Sequence, residues 1–116
     1  MSKLPVLTKN REFQRVYSKG KYSASALLVV YVLPNNLNLI RVGITVSKKI
    51  GKSVDRNRMK RLIRENIRLL YGRLVGSYDL VIVARKADEP ASFDTVGKEL
   101  RYLLYKLELL DKDKQK

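Results

Sequence analysis

An α+β sandwich, with helices packed on a small mixed sheet, is the architecture this sequence predicts. Two β-branched apolar runs, 25–33 and 39–47, flank the turn-forming Pro34-Asn35-Asn36. A strongly basic run with helical spacing follows, and then a further apolar run at 78–85. A strand, a helix and a strand in succession imply a parallel crossover. The chain of 116 residues fits one domain, and its 45% hydrophobic content suffices for one modest core.

Taken in order, residues 1–7 read as an extended, mobile arm. Thr8 can cap a short helix over 9–18, ended by Gly20. Phe13, Val16 and Tyr17 share one face of it, opposite Arg11, Gln14 and Arg15. A short strand at 21–24 precedes the strand at 25–33. In the next strand Ile40, Val42, Ile44 and Val46 alternate onto one face, and these two longer strands with their turn read as a hairpin. The basic run predicts a helix over 54–71, capped by Ser53 or Asp55 and stopped near Gly72. At about 100° per residue, Met59, Leu62, Ile63, Ile67, Leu69 and Leu70 occupy one arc of about 160°. Arg56, Asn57, Arg58, Lys60, Arg61, Arg64, Glu65 and Arg68 fill the remainder, with Asp55 and Glu65 as intrahelical ion partners. After the strand at 78–85 and a loop at 86–91, Ser92 caps a last helix over 93–110. Its buried stripe is Val96, Leu100, Leu103, Leu104 and Leu107. Residues 111–116 read as a mobile, solvated tail. The predicted order is therefore α-β-β-β-α-β-α.

Charge points to the partner. The formal net charge is +14, and half of it lies between Lys48 and Arg68, where nine Lys or Arg face two acids. Clustered positive charge of this kind fits a polyanion, first of all nucleic acid. No apolar run is long enough to span a membrane, and the N-terminus lacks a signal core. The expected location is the cytoplasm.

Self-sufficient catalysis is not expected. The chain has no histidine and no cysteine, which removes the commonest general base, thiolate nucleophiles and the usual soft metal ligands. Gly51-Lys52-Ser53 sits where a phosphate-binding loop would, but G-x-x-x-x-G-K-S/T needs glycine at the position of Val46. Two-metal phosphodiester cleavage needs converging carboxylates, and none of the acids form an apolar-flanked pair at strand or helix spacing. Binding remains. A basic helix contacts phosphates, where the planar fork of arginine is favoured, and Asn57 adds an amide able to reach a base edge or sugar. Phe13, Tyr17 and Tyr31 could stack unpaired bases, although spacing alone reads them first as core residues. Tyr22, Tyr71, Tyr78, Tyr102 and Tyr105 read as packing or surface residues.

The motif R-V-G-I-T-V-S-K-K-I-G-K-S-V-D-R-N-R-M-K-R-L-I-R-E (41–65) resembles the signature of the bacterial ribonuclease P protein family. That pattern is R-x-G-x-x-V-S-K-K-x-G-x-A-V-x-R-N-R-x-K-R-x-x-R-E, and only Ser53 departs from it, standing where Ala is common. N-R-E-F-Q-R-V-Y (10–17) is similar to the family's first helix, with Tyr17 where Phe is frequent, and Y-D-L-V-I-V-A-R (78–85) to its later strand. The likeness covers about residues 8–108.

The resemblance implies a fold like domain 2 of ribosomal protein S5, with a left-handed β-α-β crossover where the general rule would give a right-handed one. It implies the protein subunit of a ribonucleoprotein endonuclease that removes the 5′ leader of precursor tRNA. There the RNA subunit carries the active site and its Mg²⁺, and the protein alone is inactive. Carried onto this chain, Lys48, Lys49, Lys52, Arg56, Asn57, Arg58, Lys60, Arg61 and Arg64 would meet the RNA subunit. Phe13, Tyr17 and Tyr31, with Arg56 and Asn57 at the rim, would hold the single-stranded leader. No catalytic residue and no metal ligand is expected on the protein. The alternative is a general RNA-binding or ribosome-associated module without a role in cleavage.

Overall fold

The computed structural model describes residues 4–110. The elements are α1 (Asn10–Lys19), β1 (Lys21–Ala24), β2 (Leu28–Pro34), β3 (Ile40–Thr45), α2 (Ser53–Leu70), β4 (Tyr78–Ala84) and α3 (Phe93–Lys106). A 3₁₀ turn, Lys48–Ile50, leads into α2, and another, Tyr71–Arg73, follows it. The order is the one the sequence predicts. Residues 1–3 and the predicted tail at 111–116 lie outside the described residues.

The pairing corrects one expectation. β2 and β3 do not form a hairpin, because the sheet order is β1-β2-β4-β3 and β4 lies between them. β4 runs antiparallel to β2 (Val30 opposite Ile82) and parallel to β3 (Val42 opposite Leu80). The hairpin is instead β1–β2. The physical reason lies in β4 itself. Six of its seven residues are buried, so it needs a neighbour on each side and a layer on each face. The Asn-rich connection straddles the start of β4: the Asn35 N–H donates to the Ser77 carbonyl (3.2 Å) and its amide to Asp79 (2.8 Å).

The N-terminal arm is also tied down where it is described. Val6 bridges to Val42 in parallel, the Leu7 N–H donates to the Val42 carbonyl, and the Val42 N–H donates to the Pro5 carbonyl. Leu7 is buried. Apolar side chains at 4 and 7 give this segment something to lose by detaching, which a purely mobile arm lacks.

The sheet separates two cores. On one face α2 and α3 cover Leu28, Val30, Ile40, Val42, Leu80 and Ile82. On the other, α1 covers a smaller cluster of Leu7, Val16 and Val81, flanked by Phe13, Tyr17, Tyr31, Leu33 and Val83. The expected arc of α2 holds at Met59, Leu62, Ile63, Ile67 and Leu70, but Leu69 is 69% exposed. Asn66 lies near the centre of that arc and is buried in its stead, with its amide donating to the Leu62 and Phe93 carbonyls. A Cβ on Gly97 of α3 would come within 2.4 Å of the Asn66 Oδ1, so glycine there lets the two helices close on the amide. Helix α3 ends at Lys106 rather than at 110. Glu108 takes a positive φ of 62°, which turns Leu109 and Leu110 back into the core, where Leu110 bridges to Leu74.

Candidate nucleic-acid interface

The α1 face carries the rings. Phe13 and Tyr17 lie one helical turn apart and point at the sheet, with ring centroids 6.5 Å apart. Tyr17 meets Tyr31 of β2 edge-on, at 5.1 Å and 72°. The Tyr17 hydroxyl is 2.7 Å from the Thr45 hydroxyl of β3, so the ring is tethered at both ends. Gly43 makes room for Phe13: a Cβ there would come within 2.5 Å of the ring. Phe13, Tyr17 and Tyr31 are half-buried, neither sealed in core nor free. The structure thus brings these three together, as the resemblance implies. It adds a fourth ring, Tyr22, whose centroid lies 5.5 Å from that of Tyr31. What singles out Tyr22 is its place opposite Tyr31 in the β1–β2 register, which only the folded sheet shows.

An ionic knot holds α1 in place. The Arg41 guanidinium takes Asp79 by two hydrogen bonds, 2.9 and 2.8 Å, and reaches Glu12 of α1 at 2.8 Å. Hydrogen bonding to Asp79 raises the Arg41 pKa, overcoming the opposing effect of burial. Burial pushes the Asp79 carboxyl up, but the hydrogen bonds from Arg41 and Asn35 outweigh it and leave the pKa below its ordinary value. The backbone N–H of Lys9 does most to hold Glu12 below its usual range, with Arg41 adding to it. That bond also closes the first turn of α1, so Lys9 rather than Thr8 is the cap residue. Arg41, Glu12 and Asp79 come from three separate motifs, which is why no local pattern pairs them.

The opposite layer carries the cations. Ser47 accepts the Lys49 N–H and opens the 3₁₀ turn, which leaves Lys48 and Lys49 exposed. Gly51 has φ +147°, and a Cβ there would come within 2.6 Å of the Asp55 carboxylate. Asp55 accepts the Lys52 N–H at 3.1 Å, so it closes the first turn of α2 from inside the helix while Lys52 is the cap residue. Asp55 and Glu65 form no ion pair among the described residues, contrary to the expected intrahelical pairing. Asn57, Arg58, Arg61 and Arg64 are exposed, Lys60 is half-buried, and with Val54 they line one shallow groove. Arg56 is half-buried, and its Nε is enclosed without a hydrogen-bond partner. Arg58 also borders a second recess with Arg85 and Lys86, two cations that the sequence placed only at a strand end and in a loop. Arg56 and Asn57 belong to this layer. Both lie in the first turns of α2, just after the 3₁₀ turn that follows β3.

Among the described residues no group of three or more His, Cys, Asp or Glu could hold a metal ion. Among the described residues no helix is long and apolar enough to cross a membrane. The described residues thus present a half-buried ring cluster under α1 and a row of exposed cations along α2.

Known proteins share this arrangement. The family model described as Ribonuclease P matches residues 1–108. A ribonuclease P protein component of Caldanaerobacter subterraneus subsp. tengcongensis is 49% identical over 109 residues, covering 94% of each chain. One from Clostridium perfringens is 47% identical over 115 residues, covering 93% of this chain and 92% of its own. Among solved structures, an RNase P protein of Staphylococcus aureus superposes with a TM-score of 0.84 at 33% identity, over 93% of this chain and 99% of that one. One from Thermotoga maritima gives 0.75 at 32% identity, over 92% and 96%. Matched in sequence and in fold along nearly its whole length, the chain belongs to the ribonuclease P protein family.

Proposed function

We propose that this chain acts as the protein subunit of ribonuclease P, the ribonucleoprotein endonuclease that removes the 5′ leader from precursor tRNA in the cytoplasm. Its two surfaces divide the work. The exposed face of α2 and the turn before it, Lys48, Lys49, Lys52, Arg56, Asn57, Arg58, Lys60, Arg61 and Arg64, dock on the RNA subunit through phosphates. Phe13, Tyr17 and Tyr31 take unstacked bases of the leader, with Arg56 and Asn57 reaching the strand where it leaves the rings. Hydrolysis belongs to the RNA subunit. The described residues offer Mg²⁺ no cluster of their own, so in this reading the RNA holds the metal.

The observation that carries the reading is the division of α2 into two faces. One buries Met59, Ile63, Ile67 and Leu70, and the other presents cations with no ion pair among the described residues. Cations left without acids are available to phosphates at little desolvation cost. The test is reconstitution. Protein alone should leave precursor tRNA intact, and adding it to the cognate RNA subunit at low Mg²⁺ should stimulate cleavage. If the RNA subunit cleaves no faster with the protein than without it, the assignment fails.

A further inference from the structure

The row of rings does not stop at Tyr31. Gly43, Val81, Tyr31 and Tyr22 are in register across β3, β4, β2 and β1. Phe13 lies over Gly43 at one end of that line, Tyr17 against Tyr31 along it, and Tyr22 closes it at the edge strand. The Tyr22 ring is tilted 33° from Tyr31 and the residue is 65% exposed. A cross-strand aromatic pair supports a hairpin through one face of each ring. Tyr22 therefore leaves much of its ring to solvent.

We propose that Tyr22 is an additional base-stacking subsite, taking one nucleotide of single-stranded RNA beyond the base held at Tyr31. The proposal rests on the reading of Phe13, Tyr17 and Tyr31 as the leader cleft and lengthens that cleft to the edge of the sheet. Stacking on a ring tolerates any base. The subsite therefore reads leader length rather than leader sequence.

The experiment uses holoenzyme reconstituted with the cognate RNA subunit and precursor tRNAs whose leaders grow one nucleotide at a time. Equilibrium binding is measured under conditions that block cleavage. Affinity should rise with leader length and then level off. Tyr22→Ala should level off one nucleotide sooner and bind the longer leaders about fivefold more weakly, the low end for a stacked base. Tyr22→Phe, which keeps the ring, should follow the parent protein. Thermal unfolding of both variants should stay near the parent, since Tyr22 contributes little to the core. Tyr22→Ala indistinguishable from the parent at every length overturns the subsite. So does an equal loss at every length, which would mean that Tyr22 only positions Tyr31. Tyr17→Ala separates the two levels: if it leaves the leader dependence intact, the cleft itself is wrong. If it removes that dependence while Tyr22→Ala does not, only the added subsite falls.

Discussion

The two faces of the sheet use the same residue types for opposite purposes. On the α1 face the cation Arg41 is locked between Asp79 and Glu12, and the rings beside it are left half-open. On the α2 face the interior is closed with aliphatic side chains, and the cations stand without acids among the described residues. Arginine is structural in the first setting and a ligand-binding group in the second. What decides is whether a carboxylate is within reach, since a paired, partly buried charge is expensive to release and a bare exposed one is not. Net charge alone would have assigned every arginine to RNA.

That contrast predicts separable phenotypes, and the largest is at Arg41. Removing the guanidinium strands Asp79, whose side chain is only 7% exposed. Arg41→Ala should cost about 3 kcal/mol of stability, the low end for breaking a buried pair because Arg41 itself is a quarter exposed. Urea denaturation measures it. The salt dependence of RNA-subunit binding by the folded fraction should be unchanged. The pH dependence follows from the same contacts. Asp79 and Glu12 have lowered pKa values in the fold. Their contribution is therefore full above the ordinary carboxylate value of about 4 and is lost as pH falls below it. Arg41→Ala should flatten that acid limb, and an unchanged limb would show that the knot does not govern it.

The opposite phenotype is expected for Arg58→Ala combined with Arg61→Ala. Two phosphate contacts are lost, so affinity for the RNA subunit should fall by about 2 kcal/mol. The slope of log affinity against log salt should shrink by about one for each residue. Stability should move little, because both side chains are exposed and neither has an ion-pair partner among the described residues. A full salt slope in the double variant would place the phosphates elsewhere on the molecule.

Much of this division was legible in the sequence, for identifiable reasons. Helical periodicity located α2 and its apolar arc, because Met59, Ile63, Ile67 and Leu70 repeat on one stripe. The same arithmetic misplaced Leu69 at the arc's margin and passed over Asn66 at its centre. A polar residue reads as outside until Gly97 and the Phe93 carbonyl are known to lie against it. The hairpin expectation failed because Pro34-Asn35-Asn36 is good turn chemistry locally, while the need of β4 for two neighbours is a property of the whole sheet. At the site, the resemblance supplied Phe13, Tyr17 and Tyr31, where spacing favoured core. Arg41–Glu12–Asp79 and Tyr22–Tyr31 are contacts between elements, and no local pattern contains them.

A loss of comparable size, confined to the precursor, should follow on the ring face. Tyr17→Ala removes one stacking platform and should weaken precursor binding by about 1–3 kcal/mol while sparing mature tRNA. Equal losses for both substrates would return Tyr17 to the core.

The smallest effect concerns the Tyr17 hydroxyl. The Tyr17 and Thr45 hydroxyls are 2.7 Å apart and half-buried. Thr45→Val keeps the shape of the β3 side chain and removes the partner. A hydrogen bond of this kind contributes about 1 kcal/mol. If its role is to fix the ring angle for an incoming base, Thr45→Val and Tyr17→Phe should each weaken precursor binding severalfold at most. The double variant should then be no weaker than either single one, because both remove the same bond. Additive losses would separate the two hydroxyls and leave ring packing against Tyr31 as what orients Tyr17. Stability measured on the same four proteins locates the effect: coupling in unfolding but not in precursor binding would make the bond a clamp of α1 on β3, on the same footing as the Arg41 knot toward the other end of that strand.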